Sequence, residues 1–277
     1  MKGKLYIVST PIGNLEDITN RAVRTLKEVD IIACEDTRVT KKLLNYLSVN
    51  KPLQSYHEHN ETKKSIELAS ELLKGKNIAL VSDAGTPGIS DPGYRLIKLA
   101  SENEIEILTI PGPCAATSAL SISGLPTSSF TFIGFAPRTE KKRKDFLEEI
   151  KNYPQTIIFY ESPYRVLKTL NAVLQVFGDR NCSVSRELTK IYEETIRGKL
   201  SEVISILEKK EKIKGEFTIV VEGHNPDLDN KEIDIEPELI KLRKAGKSLK
   251  KAVTEICIIY KLQKNEVYKT ALKIWGQ

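Results

Sequence analysis

Short β-rich runs alternate with helical patterns over the first 223 residues of the chain. LYIV (5–8), IIAC (31–34), IALV (78–81), IEIL (105–108), FTFI (130–133), TIIFY (156–160), CSVS (182–185) and FTIVV (217–221) have the length and composition of strands. Between them, apolar residues three and four apart predict helices at 18–28, 61–75, 93–103, 114–123, 139–151, 164–177 and 199–210. Such alternation predicts an α/β protein with mostly parallel sheets and helices on both faces. PGP at 111–113 interrupts the pattern near its middle, and GHNPDLDN at 223–230 reads as a polar linker. We therefore divide the chain into two α/β subdomains, 1–112 and 113–225, flanking a cleft, and a small helical domain over 236–277. That last segment predicts three short helices, with Ser248 placed to cap the second and Gly246 to end the first. Two short helices joined by a polar turn resemble a helix-turn-helix, as does any small helical bundle.

Charge changes the picture only once it is located. The net charge is +6, yet residues 239–277 hold ten Lys or Arg against Glu255 and Glu266, a local +8, so the rest of the chain is slightly acidic. A basic tail suggests an anionic partner such as nucleic acid, or else a lysine-decorated solvated helix face. Cys34, Cys114, Cys182 and Cys257 are too scattered for a CxxC site, and His57, His59 and His224 add no ligand cluster, so no metal is expected. No apolar run approaches the ~18–20 residues that span a bilayer, and the basic start MKGKLYIVSTPIG lacks a signal-peptide core, so we expect a cytoplasmic protein with no membrane partner.

The candidate chemistry sits in loops that follow strands. SDAGTPGISDPG (82–93) is much longer than the ~2–6 residues a strand-to-helix turn needs. Its glycines permit close backbone approach and its prolines stiffen the path, while Asp91 is placed to cap a helix opening at Pro92. There is no GxGxxG fingerprint and no Walker GK[ST]. The Asp83 carboxylate repels phosphate and tolerates a cationic or neutral polar ligand. VSTPIGN (8–14), PGPCAATSAL (111–120) and YESPYR (160–165) follow strands in the same way. Four such loops, spread over both halves, fit a ligand cleft between them.

Taken together, TPIGNLEDITNRA, CEDTR, SYHEHNE, VSDAGTPGISDPG, PGPCAATSAL, GLPTSSFTFIGFAPR, FYESPYR, SRELTK and GEFTIVVEG resemble the ribosomal RNA small subunit methyltransferase I family of the tetrapyrrole methylase superfamily. The resemblance runs nearly continuously over 4–223, and the basic tail is similar to that family's C-terminal helical domain. Cobalamin and siroheme branches tend to carry a GGDP-type loop where Ala84-Gly85-Thr86-Pro87 stand, a departure that speaks against a tetrapyrrole substrate.

The resemblance implies S-adenosylmethionine bound in the cleft and methyl transfer to a cytidine 2′-oxygen in 16S rRNA or the 30S subunit, by a homodimer. It places cofactor contacts on Pro11, Gly13, Asp83, Ala84, Gly85, Thr86, Ile89, Cys114, Ala115, Tyr160, Leu188 and Glu216. Asp36 is the expected general base with Glu35 in reserve, and Arg38 and His57 are expected to orient or neutralise RNA phosphate. Glu35 and Asp36 equally suit the N-terminus of a helix running from Arg38, and His57 and His59 a solvated loop. Glu58 and Asn60 are assigned to the acceptor surface, and Arg138, Lys142, Arg143, Lys247, Lys250 and Lys251 to the RNA backbone. Two rivals stand beside this reading: a small-molecule methylase of the same architecture, which the basic tail opposes, and a non-catalytic RNA-binding factor, which four intact cleft loops oppose.

Overall fold

The expected strands all form in the computed structural model, with bounds shifted by a residue or two. The structure describes residues 1–225, 235–260 and 264–276. The first sheet holds β1 (Lys4–Val8), β2 (Ile31–Cys34), β3 (Leu53–Ser55), β4 (Ile78–Val81) and β5 (Glu106–Ile110), in the order β3-β2-β4-β1-β5. Every pairing in it is parallel. All four residues of β2 and of β4 are buried, as strands covered on both faces must be. Alternate positions feed two cores. Ile31, Ala33, Ile78 and Leu80 pack with Leu68 and Leu72 of α3 (Glu61–Leu73) and Leu96 and Ala100 of α4 (Tyr94–Glu102). Ile32, Cys34, Ala79 and Val81 pack with Ala22 and Leu26 of α1 (Asn20–Glu28) and Leu44 of α2 (Thr37–Tyr46). Each fully buried Leu or Ile contributes roughly 1.5–3 kcal/mol, so neither face tolerates a one-residue register slip.

The second sheet has the order β6-β7-β10-β8-β9, formed by β6 (Phe130–Phe135), β7 (Thr156–Glu161), β8 (Asn181–Arg186), β9 (Glu194–Lys199) and β10 (Phe217–Val221). Only β6 and β7 pair in parallel; the other three contacts are antiparallel. Parallel pairing still predominates over the two sheets together, five of eight. The mixed character comes from β9. This polar, half-exposed strand pairs with β8 as a hairpin and reverses the chain direction that the preceding crossovers keep. Its charges protect a sheet edge and hide it from a search for apolar alternation. One face of the sheet is covered by α6 (Glu140–Ile150), α7 (Val166–Phe177) and α8 (Leu200–Glu208). The other face is covered by α5 (Ala115–Ile122) and by Ile12 from the first half.

The chain separates into two compact units, Met1–His224 and Asn225–Gln277, and both sheets belong to the first. The boundary we place at 112/113 falls between β5 and α5 inside that unit. The greater part of the linker expected at 223–230 lies outside the described residues. The second unit contains α9 (Glu236–Lys244), α10 (Leu249–Tyr260) and α11 (Lys264–Trp275) around a core that includes Leu239, Val253, Ile256, Val267 and Ala271.

One polar contact fixes where α4 begins. The helix opens at Tyr94 after Gly93, without a side-chain cap of its own, so Asp91 does not take the capping role expected for it at Pro92. Glu61 of α3 caps the helix instead. Its Oε1 accepts from the Gly93 and Arg95 N–H groups at 3.2 and 3.3 Å and from the Tyr56 hydroxyl at 2.9 Å. The buried Tyr56 oxygen in turn accepts the Leu96 N–H at 3.3 Å. The HEHNE stretch thereby anchors the far end of the 82–93 loop. Glu61→Ala leaves two helix-terminal donors without their acceptor and the Tyr56 hydroxyl with Ser65 Oγ alone, and should cost about 2 kcal/mol in urea unfolding. Glu61→Gln, which keeps an acceptor oxygen, should lose about half of that. Wild-type stability in Glu61→Ala would remove this contact from the account of α4.

Candidate active site

In the first sheet, β1 and β4 are neighbours whose connections leave toward opposite edges, β1 toward β2 and β4 toward β5. Such a switch point opens a crevice beyond the carboxyl ends of the strands. The two loops that start there are sewn together. Thr10 and Gly85 exchange both backbone hydrogen bonds, N–H to O at 2.9 and 3.0 Å. The Thr10 hydroxyl donates to Ser82 O at 3.0 Å, and the Ser82 hydroxyl to Gly85 O at 3.2 Å. The loop after β5 joins them through the Thr86 hydroxyl, which lies 2.9 Å from Ser9 Oγ and donates to Pro113 O at 3.1 Å.

A cleft of about 380 Å³ rests on this floor. Of the expected cofactor residues, Asp83, Ala84, Gly85, Thr86, Ile89, Cys114, Ala115, Tyr160 and Glu216 line it together. Three do not. Pro11 is buried, with its neighbour Ile12 on the wall instead. Leu188 is buried in the cluster that holds Ile12, Ala119 and Val220 and is not part of the lining. Gly13 sits at the seam between the two halves, where an added Cβ would come within 2.4 Å of Lys190 Cγ, and the next residue, Asn14, donates its N–H to Thr189 Oγ1 at 3.1 Å. Its place in the motif therefore reflects close approach of the halves. Tyr160 is fixed in the wall: its hydroxyl accepts the Ala116 N–H at 3.0 Å, its ring lies edge-on to Phe132 at 4.8 Å, and burial pushes its pKa upward.

The carboxylates divide into two kinds. Asp36 caps α2, accepting from the Arg38 N–H at 2.8 Å and pairing with the Arg38 guanidinium at 2.7 Å. Those contacts hold its pKa at about 2. A carboxylate so well satisfied is a weak base at neutral pH. Glu35 is raised, by burial first and then by Asp83. Asp83 is raised by burial, although its Oδ1 accepts the Asp36 N–H at 2.9 Å. Asp91, which lines the cleft, is pushed up to about 6 by burial, with Glu35 and Asp83 adding to the effect. No Lys or Arg is among the described residues that line the cleft.

The residues assigned to RNA are used unevenly. Arg138, Lys142, Lys250 and Lys251 are exposed, as is Glu58. Arg38 is 87% exposed at its side chain while holding Asp36. Lys247 pairs with Glu255 on α10. Arg143 is only 6% exposed and donates to the carbonyls of Pro137 and Arg138, so it is removed from any surface a phosphate could reach. Asn60 closes its own turn, its side chain accepting from His57 N–H at 2.9 Å and donating to Ser55 O at 3.1 Å. His57 Nε2 lies 3.3 Å from that amide, and its buried Nδ1 has no hydrogen-bond partner among the described residues.

Sequence reasoning missed Phe135, Ser90, Phe217 and Thr218 on the wall, and gave Glu161 no role there. Phe135 ends β6, so the carboxyl-end signal that marked the 160–165 loop applies to it; Phe217 opens β10 and reaches the same end only because that strand runs antiparallel to β7. Glu161 is buried, accepts from the Thr169 hydroxyl at 2.7 Å and pairs with Arg165 at 3.3 Å.

With this geometry in view, comparison with known proteins is informative. The model of the family described as Tetrapyrrole (Corrin/Porphyrin) Methylases matches residues 4–204. Three relatives carry the name ribosomal RNA small subunit methyltransferase I. The protein from Halalkalibacterium halodurans is 53% identical over 84% of this chain and 80% of its own length. The Bacillus subtilis protein is 46% identical over 96% and 93%, and the Thermotoga maritima protein 50% over 80% and 99%. Among solved structures, the methyltransferase CobJ superposes with a TM-score of 0.58 at 16% identity, covering 80% of this chain and 94% of its own. Uroporphyrin-III C-methyltransferase from Thermus thermophilus, complexed with S-adenyl homocysteine, gives 0.55 at 16%, covering 82% and 100%. The structural likenesses establish the fold, and the relatives establish the branch: the chain belongs to the ribosomal RNA small subunit methyltransferase I family of the tetrapyrrole methylases.

Proposed function

We propose that the protein transfers a methyl group from S-adenosylmethionine to the 2′-oxygen of a cytidine in 16S rRNA, acting in the cytoplasm as a homodimer on the small ribosomal subunit. The observation that carries the cofactor assignment is the lining of the cleft. It offers backbone groups, apolar walls and desolvated carboxylates and no basic side chain, which suits a cation bearing an aromatic base and disfavours a phosphate ligand. S-adenosylmethionine, when bound, supplies a methyl group on a sulfonium leaving group. Asp83 and Asp91 face that positive charge, and Tyr160, Ile12, Cys114 and Ala115 give the apolar contact.

The chain's own contribution is orientation and proton handling. A fixed floor and a half-buried tyrosine wall hold the reactants at near-attack geometry, an effect worth up to ~7–11 kcal/mol in favourable cases. The hydroxyl proton needs an acceptor whose pKa lies near the working pH. Asp91 and Glu35 meet that need better than Asp36 does. The exposed cations of α6 and of the C-terminal helices supply phosphate contacts that fix position without reading sequence.

Incubation with methyl-labelled cofactor and unmodified 30S subunits, with naked 16S rRNA in parallel, tests the assignment. One cytidine linkage resistant to alkaline hydrolysis is the expected product. A protein that binds the cofactor but labels neither RNA returns the small-molecule methylase. Affinity for the RNA substrate should fall with salt at a log–log slope of roughly −0.7 to −0.9 per phosphate contacted, and a flat response would exclude the basic surface. Cofactor affinity should depend on pH through Asp91. The free carboxyl titrates at about 6, and a cation favours its ionised form. Binding should therefore be flat above about pH 6.5 and weaken as pH falls below 6, by at most about tenfold per unit. Calorimetry on Asp91→Asn should show weaker binding that no longer falls off near pH 6, leaving only the titration of Asp83 at lower pH; an unchanged pH profile would sink the role given to Asp91.

A further inference from the structure

The turn that follows β6 places an aromatic ring and a cation on one rigid support. Phe135, its last strand residue, lines the cleft yet remains 54% exposed. A bulge between Phe132 and Gly134 re-aims the end of the strand. Gly134 has φ +73°, so the bulge needs glycine for its conformation, and a Cβ there would lie 3.0 Å from Ser90 Oγ. The carbonyls that follow are held one after another by two inward-pointing guanidinium groups. Arg165 donates to Ala136 O and, at 3.3 Å, to Pro137 O. Arg143 donates to Pro137 O at 3.5 Å and Arg138 O at 3.3 Å. Arg165 is itself held by the buried Glu161 carboxylate. The Phe135 ring rests edge-on to Tyr160, with centroids 5.9 Å apart. A loose exposed phenylalanine needs no explanation, but one on a turn whose successive carbonyls are pinned is a built platform. Three residues on, the Arg138 side chain is exposed, and no Lys or Arg is among the described residues that line the cleft.

We propose that this turn seats the acceptor nucleotide, its base stacking on the outer face of Phe135 and its phosphate meeting Arg138. The inference rests on the methyl-transfer reading above and adds the element that positions the RNA. An aromatic face next to a guanidinium matches a base and its phosphate. S-adenosylmethionine has a base but no phosphate, so the pair is not matched to the cofactor.

The test is methylation kinetics on unmodified 30S subunits, with cofactor affinity measured by calorimetry. Phe135→Ala should raise KM for the subunit roughly 5- to 100-fold, the range that loss of one stacking contact gives. The cofactor Kd should rise by a smaller factor than KM does, since Phe135 also borders the cleft. Phe135→Trp should restore KM to within about threefold, whereas Phe135→Leu, similar in bulk but without a π-face, should not. Arg138→Ala should raise KM and reduce the salt slope by about one phosphate. Leu serving as well as Trp, or loss of cofactor affinity with an unchanged subunit KM, overturns the assignment. Wild-type protein that labels no rRNA refutes the underlying reading and this one with it. Wild-type labelling, with Phe135→Ala and Phe135→Leu at wild-type KM, refutes this inference alone.

Discussion

Thr10 and Gly85 exchange both of their backbone hydrogen bonds, and they sit on loops that leave neighbouring strands toward opposite edges of the sheet. That exchange, backed by the Thr10–Ser82 and Ser9–Thr86 hydroxyl contacts, holds together two loops whose following helices pack on different faces. The consequences extend outward. With Gly85 fixed, Ser82 and Thr86 find their acceptors, and the third loop is drawn in at Pro113. Ile12, two residues beyond Thr10, is then delivered to the face of the second sheet that α5 also covers. The crevice, its floor and the junction of the two halves thus follow from one antiparallel bridge in a region where every regular pairing is parallel.

The strands were legible because each central one is a continuous apolar run, and the helices because their apolar residues recur at helical spacing. What stayed hidden had a physical reason in each case. β3 is three half-buried residues, and β9 carries charges at a sheet edge, so neither shows alternation. Without β9 the reversal of direction after β8 could not be read, and the second sheet came out as parallel as the first. The helix over 37–46 was visible only through the carboxylates at its N-terminus, where Asp36 caps it.

The cleft lining was legible for a different reason. Gly, Pro and small hydroxyl residues clustered after a strand constrain the backbone directly, so the path of the loop is written in the sequence. The use of a charged side chain is not written there. Arg143 sits in a run of four basic residues and is indistinguishable in type from Lys142, yet one is buried against carbonyls and the other is exposed. Asn60 and Asp36 likewise satisfy nearby backbone donors, a competition between side chain and ligand that only coordinates resolve. Glu61, which no reading of HEHNE singled out, caps a helix thirty-odd positions away.

That division of labour bears on how the site is held ready. Raised carboxylates such as Asp83 and Asp91 are costly in the free protein, because burial opposes their ionisation. Left to relax, the loop that carries them would turn them toward water. The Thr10–Gly85 bridge restrains the near end of the loop, and Glu61, through Gly93, restrains the far end. The loop between these anchors is therefore held with its acids facing the cleft, and the desolvation they suffer is relieved when a cation enters. The same logic applies across the cleft, where Arg143 and Arg165 fix the turn bearing Phe135. Residues far in sequence from the ligand contacts keep both walls preorganised, so binding need not also supply the ordering of loops.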